Sequence, residues 1–394
     1  MSESPRNFDR SEIGLAPEQV ALRRAVREFA RTEIAPRVDE LERTGTYPRE
    51  LVRELGRLGY LGSLIPPEYG GAGLDYTSYG IVCEEVAWAD WVCASTISIQ
   101  NSLVGGSLVR WGTDAQKQRY LPLLASGEWL SSACLTEPQG GSDLASIETT
   151  AVRDGDEYVL SGEKVFISHA NHASLYFVLA TVDRSLKHKG VCAFLVERGT
   201  PGLSTRPMAM HTLKRGDTAQ VLLDEVRVPV SALLGGEGNG FRVVGSALDT
   251  GRFSVASRAV GQAQACLDAS LDYARQRQQF GQEIGRFQMV QGLLAKTIVS
   301  VEAARLLCRR VAQLKEAGVE RASYEASMAK LYAADVCMQA ASDAVQIHGG
   351  YGLTAECAVG RYFQEAKVLQ IGEGTSQLQQ VLIAEYALGY RQQR

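Results

Sequence analysis

The sequence predicts an α+β protein with a helical N-terminal domain, a middle β domain and a helical C-terminal domain. Apolar residues recur at three- and four-residue spacing from Leu22 and Val26 onward, which is the period of an amphipathic helix. Between residues 131 and 234 the pattern becomes that of short strands. After a glycine-rich link the helical period returns in long segments that can form an antiparallel bundle. We therefore divide the chain into domains at 1–130, 131–235 and 236–394.

The middle and C-terminal domains each show a clear pattern. Gly, Asp, Asn and Pro turns separate four β-rich runs, namely Tyr158–Ser168, Leu175–Val182, Val191–Glu197 and Gln220–Val228. A single apolar stripe of about six turns predicts one of the C-terminal helices. Its members are Val290, Leu294, Ile298, Val301, Ala304, Cys308 and Val311.

Composition narrows the classes of function. The net charge of −4 over 394 residues is small, and no run of five basic residues occurs, so a nucleic-acid partner is not expected. The first 14 residues lack an apolar export segment, and no stretch of about 18 apolar residues occurs. We therefore expect a cytoplasmic protein that does not span a membrane. The eight cysteines lack CxxC or metal-ligand spacing, which favours reduced thiols and no metal site.

Two glycine clusters near the C-terminus are the most informative local feature. They read His348-Gly349-Gly350-Tyr351-Gly352 and Gly372-Glu373-Gly374-Thr375-Ser376. Because glycines leave the backbone open, a planar ligand and a substrate could shield the Glu373 carboxylate from water. Such burial raises the pKa of a carboxyl group toward the range of a general base. Taken alone, the motif also fits a solvated turn glutamate.

Four further strings accompany the glycine clusters in a fixed order. They are Ile65-Pro66-Pro67-Glu68-Tyr69-Gly70-Gly71, Cys134-Leu135-Thr136-Glu137-Pro138-Gln139-Gly140-Gly141-Ser142-Asp143, Gly162-Glu163-Lys164-Val165-Phe166-Ile167-Ser168 and Arg277-Gln278-Gln279-Phe280-Gly281. Together these motifs resemble the acyl-CoA dehydrogenase family over residues 15–390. The resemblance implies a β-barrel-like or sandwich-like middle domain and a C-terminal four-helix bundle.

The resemblance also implies a reaction, in which an FAD enzyme introduces a double bond between Cα and Cβ of an acyl thioester. A carboxylate takes the α-proton while the β-hydrogen leaves as hydride to flavin N5, and Glu373 occupies the usual base position. Its backbone N–H and a ribityl hydroxyl would stabilise the thioester oxygen. Some branches instead carry the base immediately before the arginine that is Arg252 here. This chain has Gly251 there, so Glu373 is the expected base.

The resemblance assigns the contacts to FAD as well. Donors at the edge of the flavin ring would come from Leu135, Thr136 and Ser142. One ring face would lie against Phe166, Ile167 and Ser168. The pyrophosphate and adenosine side would be held by Arg277, Gln279, Phe280, Gln346, Gly349, Gly350, Thr375 and Gln377. If Arg277 reaches a neighbouring subunit, the active form is at least a homodimer, and in this family it is often a homotetramer.

The acyl thioester would contact Ser142, Asp249, Arg252 and Gly374. Glutaryl-CoA dehydrogenases carry an arginine where this chain has Ala94, which disfavours a dicarboxylic substrate because a buried carboxylate needs a partner. Straight-chain relatives commonly have tyrosine where this chain has Gly372. The space left by that ring favours a short, branched or otherwise bulky acyl group.

Several alternatives remain open from the sequence. An acyl carrier protein could replace CoA as the carrier of the substrate. A flavin oxidase or monooxygenase of secondary metabolism could use the same fold, although a monooxygenase needs no α-proton base such as Glu373. A non-catalytic binding protein is a further alternative from a different class. For a dehydrogenase, the expected electron acceptor is electron-transferring flavoprotein.

Overall fold

The computed structural model describes residues 12–391, and the first eleven residues, on which the absence of an export segment partly rests, lie outside this range. The N-terminal part is helical, as predicted. Side-chain caps fix the starts of three helices, because Asp75, Asp90 and Thr113 accept hydrogen bonds from the backbone N–H three residues later. The helices are α1 (Pro17–Phe29), α2 (Ala35–Thr44), α3 (Arg49–Arg57), α4 (Tyr76–Ala89), α5 (Trp91–Ser98), α6 (Gly105–Trp111) and α7 (Asp114–Ala125).

One long apolar helical run and most of the cysteines lie in the protein interior. The helical run Trp91–Trp111, which a π-helical turn at Ile99–Val104 joins into one rod, is long and apolar enough to cross a membrane by length and composition. Since 89% of its most apolar window is buried inside the fold, packing against the protein core explains its composition. All eight cysteines are free thiols, and seven of them are buried.

The middle domain is one eight-stranded sheet in the order β6-β7-β3-β2-β4-β5-β8, with β1 pairing in parallel with β4. The four β-rich runs of the sequence are confirmed as β3, β4, β5 and β7. The other strands are too short to show a period. The strands are β1 (Ser131–Cys134), β2 (Thr150–Asp154), β3 (Glu157–Ser168), β4 (Leu175–Thr181), β5 (Val191–Glu197), β6 (Leu203–Pro207), β7 (Thr218–Pro229) and β8 (Leu233–Leu234).

Strand β4 connects the two halves of the molecule because it is buried on both faces. Leu175, Phe177 and Leu179 pack into a cluster with the N-terminal helices. The alternate residues Tyr176 and Val178 pack into the core of the β domain. Successive side chains of a strand point to opposite faces, so one strand serves both cores.

The C-terminal part is a helical bundle centred on the long helix α8. One predicted residue of the α9 stripe is wrong: Ile298 is 43% exposed, and Thr297 is buried at that level instead. An α-helix has 3.6 residues per turn, so positions at a regular three- or four-residue spacing shift slowly around the helix axis. A regular spacing therefore does not identify every residue that faces inward. The elements are α8 (Gly240–Gln276), β9 (Gln278–Gln279), β10 (Gln282–Glu283), α9 (Gln288–Glu316), α10 (Ser323–His348), α11 (Ala358–Ile371) and α12 (Ser376–Ala387).

A buried arginine fastens the three parts together. Arg215, in the loop before β7, donates to Asp90 at the start of α5, to Glu365 on α11 at 2.8 Å and to Glu42 on α2 at 2.5 Å. The side chains of Arg215 and Asp90 are fully buried, and that of Glu365 is 2% exposed. Burial favours the neutral form, yet the two carboxylates outweigh it and raise the pKa of Arg215.

We expect Arg215→Ala to lower the free energy of unfolding by about 3–5 kcal/mol, because it removes the cation that pairs with the buried carboxylates of Asp90 and Glu365. Arg227 provides the matched control, since its ion pairs with Asp154 and Glu157 are exposed. Arg227→Ala should change stability little. Denaturant unfolding of both variants measures the difference, and equal losses of stability would contradict the assigned role of Arg215.

Candidate active site

Glu373 lies in a tight turn between α11 and α12. The turn ends at Thr375, whose hydroxyl accepts a hydrogen bond from the backbone N–H of Leu378 and caps α12. Glu373 has φ of 55°, a backbone conformation that costs a non-glycine residue energy and is often found at functional sites. Its side chain is 13% exposed. The turn therefore holds this carboxylate inside the protein.

Helix α8 contacts the Glu373 carboxylate at Gly251. A Cβ atom added to Gly251 would lie 2.0 Å from Glu373 Oε2 and 3.1 Å from its Cδ. No side chain fits there without displacing the carboxylate. Residues 251 and 373, the two positions that the sequence resemblance offers for the base, thus meet in one place, and of the two only Glu373 carries a carboxylate.

Three cations surround Glu373. An Nη atom of Arg258 lies 3.6 Å from Glu373 Oε1, whereas Oε2 has no hydrogen-bond partner among residues 12–391. Burial raises the pKa of Glu373 above its ordinary value, against the opposing charges of Arg258, Lys330 and Arg252. A carboxylate with a raised pKa and a free oxygen is suited to accept a proton.

Two side chains donate hydrogen bonds to the backbone of the turn that carries Glu373. Lys330 on α10 donates to the Gly374 carbonyl at 2.7 Å, and Gln379 on α12 donates to the same oxygen at 3.1 Å. Burial lowers the pKa of Lys330 to about 8, although the Glu373 charge opposes this shift. These two hydrogen bonds anchor the Gly374 carbonyl, one residue after Glu373, to α10 and α12.

The residues predicted to contact the flavin ring lie at the end of β3. The register of β3 against β7 shifts between Lys164 and Ile167, and Phe166 there has φ of 59°. Such a bulge re-aims a side chain. The Phe166 ring is consequently 59% exposed between two buried neighbours.

Ile167 requires a correction. Its side chain is 2% exposed and belongs to the core of the β domain, so the side chain does not lie on the open face beside Phe166. Only its backbone can contact a bound ring. Ser168, which follows it, is half-buried, and its carbonyl accepts a hydrogen bond from Ser132 at 2.7 Å.

A buried ion pair fixes the loop that carries the other ring-side residues. Lys164 on β3 donates to Glu137 at 2.7 Å, and Glu137 also accepts from the backbone N–H of Thr149 at 3.0 Å. Burial opposes ionisation, but the Lys164 charge and these donors lower the pKa of Glu137 to about 2. The pair places Leu135 and Thr136, both half-buried, beside β3, while Ser142 stays exposed.

The residues predicted for the pyrophosphate and adenosine side form a separate group. Phe280 lies at the tip of the β9–β10 hairpin with φ of 51° and is 94% exposed. The Arg277 guanidinium lies 5.8 Å from the centre of the Tyr351 ring. His348, whose Nδ1 lies 2.8 Å from the Ala344 carbonyl oxygen, stacks on Tyr273 at 4.3 Å. These contacts bring the hairpin to the glycine cluster that ends α10.

The remaining residues of this side are exposed or belong to helix ends. Gln279 lies on β9, next to Phe280 in the hairpin. Gln346, Gly349, Gly350 and Gln377 are exposed. Gly349 has φ of 60°, which favours glycine, and a Cβ at Gly349 or Gly350 would meet no atom within 4 Å. The backbone of this cluster is open to a ligand or to another subunit.

We expect Arg277→Ala to release FAD more readily and to lower the melting temperature, since a cofactor that binds only the native state stabilises it. Arg275→Ala is the matched control, because Arg275 is exposed and pairs with Asp272 at 3.3 Å on the same helix. The measurements are the flavin content after dialysis and the melting temperature with and without added FAD. Equal flavin retention in both variants would contradict the role of Arg277.

Two of the residues predicted to contact the thioester, Asp249 and Arg252, also contact other side chains of the protein. Asp249 is buried and accepts from Arg321 at 2.7 Å and from Ser323 at 2.7 Å. Arg252 lies 3.6 Å from Asp249, and its Nε has no hydrogen-bond partner within residues 12–391. Arg252 therefore keeps donor capacity for a ligand, whereas the hydrogen bonds of Asp249 go to Arg321 and Ser323.

The residues present fit FAD. The exposed Phe166 ring offers an apolar face to a flat conjugated ring. Arg277 supplies a permanently charged planar donor suited to a pyrophosphate. Burial first, and then the charges of His172 and Arg258, lower the pKa of His169, which follows Ser168. The charge of Arg258, which lies 3.6 Å from Glu373, thus also acts on the residue after the ring-side strand.

The sequence reasoning missed Arg258, Lys330 and the Glu137–Lys164 pair. Arg258 and Lys330 are single charges inside apolar helical runs, which is a signal of a buried functional or paired group. The Glu137–Lys164 pair lies inside motifs that the sequence identified, but residue spacing does not show which side chains meet across a sheet.

Comparison with known proteins gives consistent matches. Three protein-family models match, described as acyl-CoA dehydrogenase N-terminal (16–128), middle (132–226) and C-terminal (238–388) domains. An acyl-CoA dehydrogenase of Bacillus subtilis is 39% identical over 94% of this chain and 98% of its own length.

Two solved structures extend the comparison. Butyryl-CoA dehydrogenase of Megasphaera elsdenii has a TM-score of 0.92 at 36% identity and covers 95% of this chain and 99% of its own. A glutaryl-CoA dehydrogenase of Mycobacterium smegmatis in complex with FADH2 has a TM-score of 0.91 at 31% identity, over 98% of each chain.

Proposed function

This chain belongs to the acyl-CoA dehydrogenase family of FAD-dependent oxidoreductases, and on that premise we propose that it forms a Cα–Cβ double bond in an acyl thioester, with Glu373 as the base. The observation that carries the proposal is the contact between Gly251 and Glu373. Any side chain at residue 251 would displace the carboxylate from its place, since the added Cβ would lie 2.0 Å from Oε2.

For each step of this reaction, the proposed site contains a chemical group that can perform it. Bound FAD supplies the acceptor for the β-hydrogen and its two electrons. The free Oε2 of Glu373 takes the α-proton, which burial favours by raising the pKa of the carboxyl group. The Glu373 backbone N–H would donate to the thioester oxygen and stabilise the charge that develops there. Lys330 and Gln379 anchor the turn that carries this amide, through the Gly374 carbonyl.

The acyl group is proposed to be short, branched or otherwise bulky near Cα. Gly372 precedes the base and has no side chain, which would leave room beside the reacting carbons. The butyryl-CoA specificity named for a relative of similar fold supports a short chain. The open position favours branching independently of chain length.

We also propose the remaining partners. The carrier is CoA, with an acyl carrier protein as the alternative, and Ser142, Asp249, Arg252 and Gly374 line its thioester end. The acceptor of the electrons is electron-transferring flavoprotein. The active form is a homodimer or homotetramer, because Arg277 and Phe280 project from the subunit on an exposed hairpin. The proposed compartment is the cytoplasm.

A flavin oxidase or monooxygenase is the second candidate that the fold permits. The position of Glu373 argues against the monooxygenase, since hydroxylation by reduced flavin requires no α-proton base. The rate at which reduced flavin reoxidises in air, with and without bound product, separates an oxidase from a dehydrogenase. A colourless purified protein would favour a non-catalytic binding role.

The proposed function is tested by steady-state turnover with a dye acceptor under anaerobic conditions. The panel compares isobutyryl-, 2-methylbutyryl- and cyclohexanoyl-CoA with butyryl- and octanoyl-CoA. We expect the highest kcat/KM with a short or branched ester. A clear preference for octanoyl-CoA would refute the acyl-chain proposal, and turnover of none of the esters would refute the function with CoA as carrier.

A further inference from the structure

Arg258 is a buried cation in the proposed site whose donors are largely unused. It lies on α8 about two turns after Gly251, and its side chain is 5% exposed. Its contact with Glu373, at 3.6 Å, is longer than a hydrogen bond. Within residues 12–391, its Nε and Nη1 have no hydrogen-bond partner. Because burial removes water from a charge, an unpartnered guanidinium calls for acceptors from a ligand.

The base and an aromatic side chain of α5 are neighbours of Arg258. Its guanidinium lies 5.1 Å from the centre of the Trp91 ring on α5. Burial first, and then the charges of His172 and Arg258, lower the pKa of His169 to about 3. His169 is thus neutral, and its Nδ1 also lacks a partner in the described chain. Arg258 therefore lies between the base and Trp91, and its charge acts on His169, the residue after β3.

The charges of the site do not balance during the reaction. Arg252 has Asp249 as a nearby carboxylate at 3.6 Å, and Lys330 donates to the Gly374 carbonyl. Glu373 is the carboxylate in ion-pair contact with Arg258. When Glu373 takes the α-proton it becomes neutral, while Arg258 stays charged at every physiological pH. A carboxylate on the substrate would supply the missing negative charge.

We propose that Arg258 is a specificity-determining residue that closes the acyl end and binds a carboxylate at the far end of a short acyl chain. This inference rests on the proposed function and names its substrate class, the monothioesters of short dicarboxylic acids. Glu373 must reach Cα within about 3–3.5 Å, and Arg258 contacts Glu373. The carboxylate therefore lies about two or three carbons beyond Cα.

Arg258 also changes the conclusion drawn from Ala94. The absence of an arginine at residue 94 disfavours a dicarboxylic acyl group only if no other cation enters the pocket. Here a guanidinium enters from the facing helix α8 and lies over Trp91, which is three residues before Ala94 on α5. A guanidinium binds a carboxylate through charge-assisted hydrogen bonds. Nε and Nη1, on two different edges of the Arg258 guanidinium, are donors left free for such bonds.

Two five-carbon esters test the inference, glutaryl-CoA and pentanoyl-CoA. We expect wild-type protein to prefer glutaryl-CoA in kcat/KM, and we expect Arg258→Gln to lower the glutaryl-to-pentanoyl ratio by about 30-fold or more, as for the loss of one partner of a buried charge pair. Arg242→Gln is the matched control, because Arg242 is an exposed arginine of the same helix. Its ratio should equal that of wild type.

A second readout does not depend on turnover. Calorimetric titration of glutaryl-CoA should show weaker binding to Glu373→Gln/Arg258→Gln than to Glu373→Gln, by a similar factor. Wild-type protein that dehydrogenates pentanoyl-CoA and not glutaryl-CoA would overturn the inference and leave the proposed function standing. If neither these esters nor the earlier panel is dehydrogenated, both fail.

Discussion

Glu373→Gln is expected to lower kcat by about 100- to 10,000-fold, the usual contribution of a positioned general base. Glutamine keeps the shape of the side chain in the turn and removes the group that accepts the α-proton. The protein should remain folded and yellow, because Lys330 and Gln379 hold the turn through the Gly374 carbonyl rather than through the carboxylate. Turnover with the preferred thioester and flavin content measure the two effects.

The control for this variant is Glu40→Gln, which removes an exposed carboxylate on α2 paired with Arg43. It should retain wild-type turnover. Near-normal rates in Glu373→Gln would show that another group takes the proton. Loss of flavin from Glu373→Gln would mean that the carboxylate serves cofactor binding as well.

Moving the carboxylate to residue 251 is expected to restore part of the lost activity. A Cβ at Gly251 would lie 2.0 Å from the present position of Glu373 Oε2, so a glutamate there can reach the same space once Glu373 is shortened. We expect Glu373→Ala/Gly251→Glu to exceed Glu373→Ala in kcat by at least about tenfold. Gly251→Ala alone should lower kcat, because it displaces the native carboxylate. Steady-state turnover measures all three variants.

The matched control is Glu373→Ala/Gly245→Glu. Gly245 lies on the same helix, and a Cβ there would meet no atom within 4 Å. The variant with glutamate at residue 245 should fold as well as the variant with glutamate at 251, but it should not restore turnover. Equal rescue from both positions, or none from Gly251→Glu in a folded and flavin-loaded protein, would contradict the geometry assigned to the site.

Much of the fold could be predicted from the sequence because its signals are periodic. Long helices and strands such as β3 and β7 repeat an apolar pattern often enough to be recognised. Ile298 shows the limit of this reasoning, since it fits the spacing of the α9 stripe and yet is exposed. Which residue of a helix faces inward depends on the neighbouring helices as well as on the period.

The site was predictable where motifs mark unusual backbone. Glu373 and Phe166 lie in motifs with glycine, and both adopt positive φ. Arg258 has no such mark, because its role depends on Trp91 and Glu373, which lie 167 and 115 residues away along the chain. Ile167 was misjudged for a related reason: the strand period alone does not reveal the bulge that turns Phe166 outward.

The most direct test of the central claim is the flavin spectrum during anaerobic addition of the preferred acyl-CoA ester, for wild type and Glu373→Gln in parallel. Loss of absorbance near about 450 nm reports transfer of the β-hydrogen with its electrons to the bound flavin. We expect rapid bleaching of wild type and bleaching of Glu373→Gln that is slower by about 100-fold or more. Bleaching of both proteins at similar rates would contradict the role of Glu373 as the base.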